Sequence, residues 1–151
     1  MRLSRRTMSF LVFALAIACR DTTAPERISA GFVLESVNGQ PLPAVLFSDA
    51  TRILTVVGST LTLTMDGHAF IGEVYTQNSQ GIVTQPTFAA TLEYQLHGDQ
   101  IEIGSFTPCP PNAQCAANAT GTLSNGTLTL NNPLPAPNKI YVYRTAPLLL
   151  F

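Results

Sequence analysis

From Gly31 onward the chain keeps one rhythm, and that rhythm limits its fold more than anything else in it. Apolar and polar residues alternate with period two, which puts successive side chains on opposite faces of a strand. In "TFAATLEYQL" Phe88, Ala90, Leu92, Tyr94 and Leu96 share one face. In "GFVLESV" Phe32 and Leu34 share a face and Glu35 takes the other. No stretch after the N-terminal segment has a convincing helical period. A chain of this kind must bury one side of a sheet without help from helices.

The strands are punctuated by tight turns. Asn38-Gly39 and Asn125-Gly126 supply the positive φ angles of a two-residue hairpin. "TLTLTMDGHAF" reads as strand, turn, strand, with Leu61, Leu63 and Met65 facing one way and Thr62 and Thr64 the other. Gly58, inside "RILTVVGSTLTLTM", is expected at a bulge. "HGDQ" turns "YQL" into "IEIGSF", and residues 77–86, "QNSQGIVTQP", read as a polar loop. "NPLPAPN" is a Pro-rich connection before the last strand, "KIYVYRT". The expectation is all-β: an antiparallel up-and-down meander of about eight or nine strands. Such a sheet closes on itself or stacks on a second one, and closure also removes exposed edges.

The N-terminus has a different character. Arg2, Arg5 and Arg6 precede a short apolar run, Phe10–Ile17, and Ala16-Ile17-Ala18 offers a cleavage triplet. This is the layout of a secretory signal, and the run is far below the roughly 20 residues that span a bilayer as a helix. Directly after the triplet comes Cys19, and the junction resembles the lipobox of bacterial lipoproteins, with Ala16 where that family favours Leu. The resemblance implies that Cys19 becomes the first mature residue and carries diacylglycerol and further acyl chains such as palmitate. Several acyl chains hold far better than one, since each buried methylene adds about 0.8 kcal/mol. The alternative is an ordinary signal cut that leaves a free cysteine. Arg20, rather than Asp, follows Cys19, which by the same resemblance implies the outer membrane of a bacterial envelope.

A second resemblance covers nearly all of the remaining chain. "GFVLESVNGQPLPA", "LTLTMDGHAF" and "YQLHGDQIEI" resemble small bacterial lipoproteins with lipocalin-like barrels. It implies a small closed barrel and no particular activity. With no tryptophan in the chain, membership of the lipocalins proper is not implied. The organisation expected is a lipoprotein signal peptide over 1–18, a lipidated tether over 19–30, a β-barrel domain over 31–146 and a tail over 147–151. Pro147 in that tail breaks the alternation of a membrane-spanning strand, so the tail is expected to pack along the barrel or cover its mouth.

Charge excludes one large class of partner. The chain carries 8 basic and 9 acidic residues. Three of the basic ones lie in the signal, which leaves five against nine, and no clustered basic face for nucleic acid. With Cys19 assigned to lipid, Cys109 and Cys115 remain, and an even pair in an exported chain reads as a disulfide. The rival is a metal site, poorly supplied because no His or carboxylate lies near that pair.

Candidates for chemistry are few. His68 and His97 each sit at a hairpin turn near an aspartate, Asp66 or Asp99. A His–Asp pair can orient a base or hold a metal, but exposed turn residues look the same in sequence. Glu35, Glu73, Glu93 and Glu102 fall on strands, where carboxylates on outward faces normally solubilise the sheet. No serine sits in a nucleophile motif. No catalytic residue, metal ligand set or cofactor is marked, and an enzyme is not expected. Phe32, Phe70, Tyr75, Phe88, Tyr94, Tyr141 and Tyr143 could line an apolar cavity, since an eight-stranded barrel is just wide enough for packed side chains or one small ligand. The leading expectation is therefore a membrane-anchored envelope lipoprotein whose barrel binds a small apolar ligand. The alternative is a structural lipoprotein with a filled barrel that presents loops to an envelope partner protein.

Overall fold

The computed structural model describes residues 25–108, 117–133 and 138–146. They form eleven strands: β1 (Ala30–Val37), β2 (Gln40–Pro41), β3 (Ala44–Ser48), β4 (Arg52–Leu63), β5 (His68–Ser79), β6 (Ile82–Thr84), β7 (Thr87–His97), β8 (Gln100–Gly104), β9 (Ala119–Ser124), β10 (Thr127–Asn131) and β11 (Ile140–Ala146). Every pairing is antiparallel. β1, β4, β5, β7, β8, β9, β10 and β11 follow one another around a barrel, and β1 closes it by pairing β4 on one edge and β11 on the other. The up-and-down barrel expected from the alternation is thus what forms, with β2, β3 and β6 as short additions.

The turns follow their residues. Asn38-Gly39 and Asn125-Gly126 have φ of 50° and 76°, and of 50° and 73°, so both pairs sit in the left-handed region that a tight hairpin needs. The expected bulge at Gly58 is present as a register shift between Val56 and Gly58. Gly121 is tied to its place by packing, because a Cβ there would collide with the Thr129 carbonyl of the next strand.

Three local expectations are corrected. Residues 77–86 are not simply a loop: β5 runs on to Ser79, and Gln80-Gly81, with φ of 51° and 87°, folds β6 back onto it. Gln rarely takes positive φ, which is why the turn does not announce itself in the sequence. Met65 does not continue the inward row of Leu61 and Leu63, because β4 stops at Leu63 and Met65 is 63% exposed in the turn. The part of the tether in view is docked rather than free: the Glu26 amide donates to the Leu96 carbonyl (2.7 Å), and Ile28 is bound by Tyr94.

The barrel has two unlike ends. The terminal end carries the start of β1, the close of β11, and the β4–β5, β7–β8 and β9–β10 turns. Beyond the opposite, far end, the strands β4 and β5 run on. There β3 pairs the outer edge of β4 from Val56 to Ile53, and β6 pairs β5 from Gln77 to Ser79. The result is a four-stranded extension, β3-β4-β5-β6. The core fills the barrel, with Phe32, Leu34, Leu61, Leu63, Ile103, Leu128 and Leu130 buried among the tyrosines.

Candidate functional site

β5 brings a carboxyl into that core. Ala69, Ile71, Glu73 and Tyr75 are in phase, and all four side chains are buried, Glu73 at 2% exposure. The outward reading of Glu73 is therefore corrected. Two alternating rows compete in "HAFIGEVYT", one of Phe70, Gly72 and Val74, the other of Ala69, Ile71, Glu73 and Tyr75. A one-residue change of register exchanges their faces. Pairing with β7 settles the matter, because Glu73 lies opposite Phe88 and Ile71 opposite Ala90, both on the inward row of β7.

Hydroxyls gather around this carboxyl. Tyr75 donates its hydroxyl to Oε2 of Glu73. The Ser59 hydroxyl, directly across the β4–β5 ladder, donates to Oε1 at 3.2 Å. Tyr143, from β11, shares a hydrogen bond with Ser59 at 3.1 Å. Tyr141, whose ring lies 6.1 Å from that of Tyr143, has a buried hydroxyl with no hydrogen-bond partner among the described residues. No cationic side chain pairs with Glu73 among the described residues. Burial pushes the Glu73 carboxyl up to about 7, and the Ser59 hydrogen bond opposes that only in part. Burial likewise holds the Tyr141 and Tyr143 hydroxyls well above the ordinary tyrosine range, helped by the negative charge of Glu73.

The residues expected to line a cavity divide. Phe32, Tyr75, Tyr94, Tyr141 and Tyr143 are buried and face inward, and Phe88 faces inward half-buried. Phe70 is corrected: it lies on the outer row, 46% exposed. A side chain with no accessible area borders no space that a water could enter. Around Tyr94, Tyr141 and Tyr143, at 0–1% exposure, the interior is accordingly closely packed. The Tyr94 hydroxyl has a structural task. It accepts from the Ile28 amide (2.8 Å) and lies within donating distance of the Ile28 and Thr64 carbonyls.

The remaining candidates lie on the surface. His68 Nδ1 is 3.1 Å from Asp66 in the β4–β5 turn, with both side chains exposed. The Thr64 hydroxyl, then His68, hold the Asp66 carboxyl below the usual range. With Arg27, Glu93 and Phe106 they border a half-open dent of about 170 Å³. His97 sits at the same end, but on the strand neighbouring β5 and four residues beyond the partner of His68, Glu93. Glu35 pairs with Arg144 (2.8 Å) and Glu102 accepts from Asn118 (2.7 Å), both on outer rows. No group of three or more His, Cys, Asp or Glu fit to hold a metal exists among the described residues. Cys19, Cys109, Cys115 and the 147–151 tail lie outside the described residues.

Apolar groups are also exposed in quantity. Val45, Ile53 and Val83 share the outer face of the far extension, and Ile82, at 70%, stands beside Val83 on the edge strand β6. A wider trough of about 370 Å³ runs over Gly72 and Ala89 next to Phe70. No protein-family model matches the chain, and no curated protein or solved structure matches it.

Proposed function

We propose that this protein is a lipid-anchored lipoprotein of the bacterial envelope whose filled barrel is a rigid platform for a partner protein. The close burial of the inward tyrosines favours the second of the two expectations. A ligand barrel needs a cavity of some hundreds of cubic ångströms, and Tyr94, Tyr141 and Tyr143, at 0–1% exposure, border little open space. The exposed Val45, Ile53, Ile82 and Val83 of the far extension, set among Thr55, Thr76 and Asn78, offer a platform apolar contacts with polar neighbours. The anchor rests on the lipobox resemblance at Cys19 and the outer-membrane assignment on Arg20. Neither cofactor nor chemistry is part of this reading.

The test has two arms. Native mass spectrometry of the detergent-extracted protein should show its polypeptide and acyl chains and nothing else. A co-purifying small apolar molecule would return the barrel to the carrier class. A photocrosslinker at Val83 should trap a discrete envelope protein in cells, while one at Glu35, on the barrel wall, should not. Equal, diffuse adducts from both positions would sink the platform.

A further inference from the structure

The ladder between β1 and β4 is short. It has four residue pairs, from Ala30↔Leu63 to Val33↔Thr60, as many as β8–β9 and against eleven between β4 and β5. β1 then bulges between Leu34 and Ser36, and beyond the bulge it pairs β11 on one edge and the short β2 on the other, not β4. β3 takes up the free edge of β4 no earlier than Val56. Among the described residues, Val57, Gly58 and Ser59 therefore have no strand beside them on that edge. Across this gap a side-chain chain replaces the missing ladder: Tyr143 of β11 to Ser59 of β4, Ser59 to Glu73 of β5, and Tyr75 to the same carboxyl.

We infer that the Glu73 carboxyl is a proton-binding site that latches the β1–β4 seam, holding it shut when protonated and loosening it when ionised. The groups that face Glu73 are Ser59 from β4, Tyr75 from its own strand, Phe88 from β7, and Tyr141 and Tyr143 from β11. Among the described residues none of these is a cation. A buried carboxylate without a counter-charge is costly, and its negative charge must then be neutralised or wetted. Glu73, at 2% exposure, and the tyrosines around it are closely enclosed, so a proton is the ligand that fits at this carboxyl. On ionisation the carboxyl O–H bond breaks and the proton passes to solvent. The charge left behind is relieved by opening the short, interrupted ladder beside it, next to Ser59, and admitting water. The upward displacement of the Glu73 pKa to about 7 agrees with this geometry. The inference concerns the barrel alone and stands whether or not the envelope reading does.

Amide hydrogen exchange on the full-length protein, corrected for intrinsic rates, tests it. Protection at Ala30–Val33 and Thr60–Leu63 should fall on the order of fiftyfold from pH 5 to pH 7.5 and level off above, while β9 and β10 hold theirs. Glu73→Gln should keep the seam protected throughout. Unchanged pH dependence in Glu73→Gln, or a wild-type seam indifferent to pH, would refute the latch. Should the variant fail to fold, a carboxyl-carbon NMR titration of the wild type decides: a Glu73 midpoint near 7 supports the latch and one below 5 overturns it.

Discussion

Glu73 creates an energetic problem that an apolar side chain at its place would not. Its carboxyl is displaced from the ordinary 4.5 to about 7 by burial. That gap corresponds to ~3 kcal/mol between the protonation states. The folded value lies above the unfolded one, so the native state binds the proton more tightly. The stabilisation is fully present below about pH 4.5 and is lost as pH rises through about 7. The neighbouring tyrosines differ in what they contribute. Tyr143 ties Ser59 into the network, whereas the buried Tyr141 hydroxyl has no partner among the described residues. Tyr141→Phe should therefore leave stability unchanged or raise it slightly, because it removes an unsatisfied polar atom. Tyr143→Phe should cost about 1 kcal/mol, because it removes a buried hydrogen bond and leaves Ser59 with Glu73 alone. Urea unfolding of the two variants at pH 6 reads the difference, and equal costs would contradict the hydrogen-bond assignment.

At the scale of elements, the docking of Pro25–Ser29 combines the Glu26–Leu96 backbone bond and the Arg27 bond to the Tyr94 carbonyl with one central side chain. The Tyr94 hydroxyl bonds Ile28 and reaches Thr64, and the Arg27 guanidinium lies over its ring at 5.4 Å. Tyr94→Phe keeps the ring and loses the bonds, at a cost of about 1–2 kcal/mol. Limited trypsin digestion should then cut after Arg27 faster than in the wild type, and an unchanged cutting rate would show that the other contacts hold the segment. This docking could not be read in "RDTTAPERIS", because residues of a tether and of a docked flank share the same polar, aperiodic look. What could be read were the elements whose own residues decide them. Asn-Gly turns dictate hairpins locally, and the inward row of β7 is apolar without exception. β5 was ambiguous because both of its rows contain large apolar residues. The choice between Phe70 and Glu73 as the inward residue is made by the neighbouring strands, which carry Leu61 and Ala90 opposite Ile71. The central group of the candidate site was thus hidden by a phase choice that only tertiary pairing makes.

At the scale of the molecule, the two ends of the barrel acquire different duties if Cys19 bears lipid. Residues 19–24 can span at most about 20 Å, and they join the barrel at Pro25, beside the start of β1. The terminal end must then lie close to the membrane, with the β4–β5 turn and its exposed Met65 facing it. The far extension, with Val45, Ile53 and Val83, must point away. That orientation also answers an objection to the platform. Apolar edges such as β6 are an aggregation hazard in a freely tumbling protein. On an anchored one they are presented in a single direction, to whatever approaches the membrane. A bimane label at Met65→Cys or at Val83→Cys, in the acylated protein reconstituted into vesicles, distinguishes the two ends. Quenchers placed in the lipid headgroup region should dim the label at position 65 strongly and the label at position 83 hardly at all. Strong quenching at 83 would mean that the apolar extension itself lies on the bilayer, and the partner sought for it would then be lipid rather than protein.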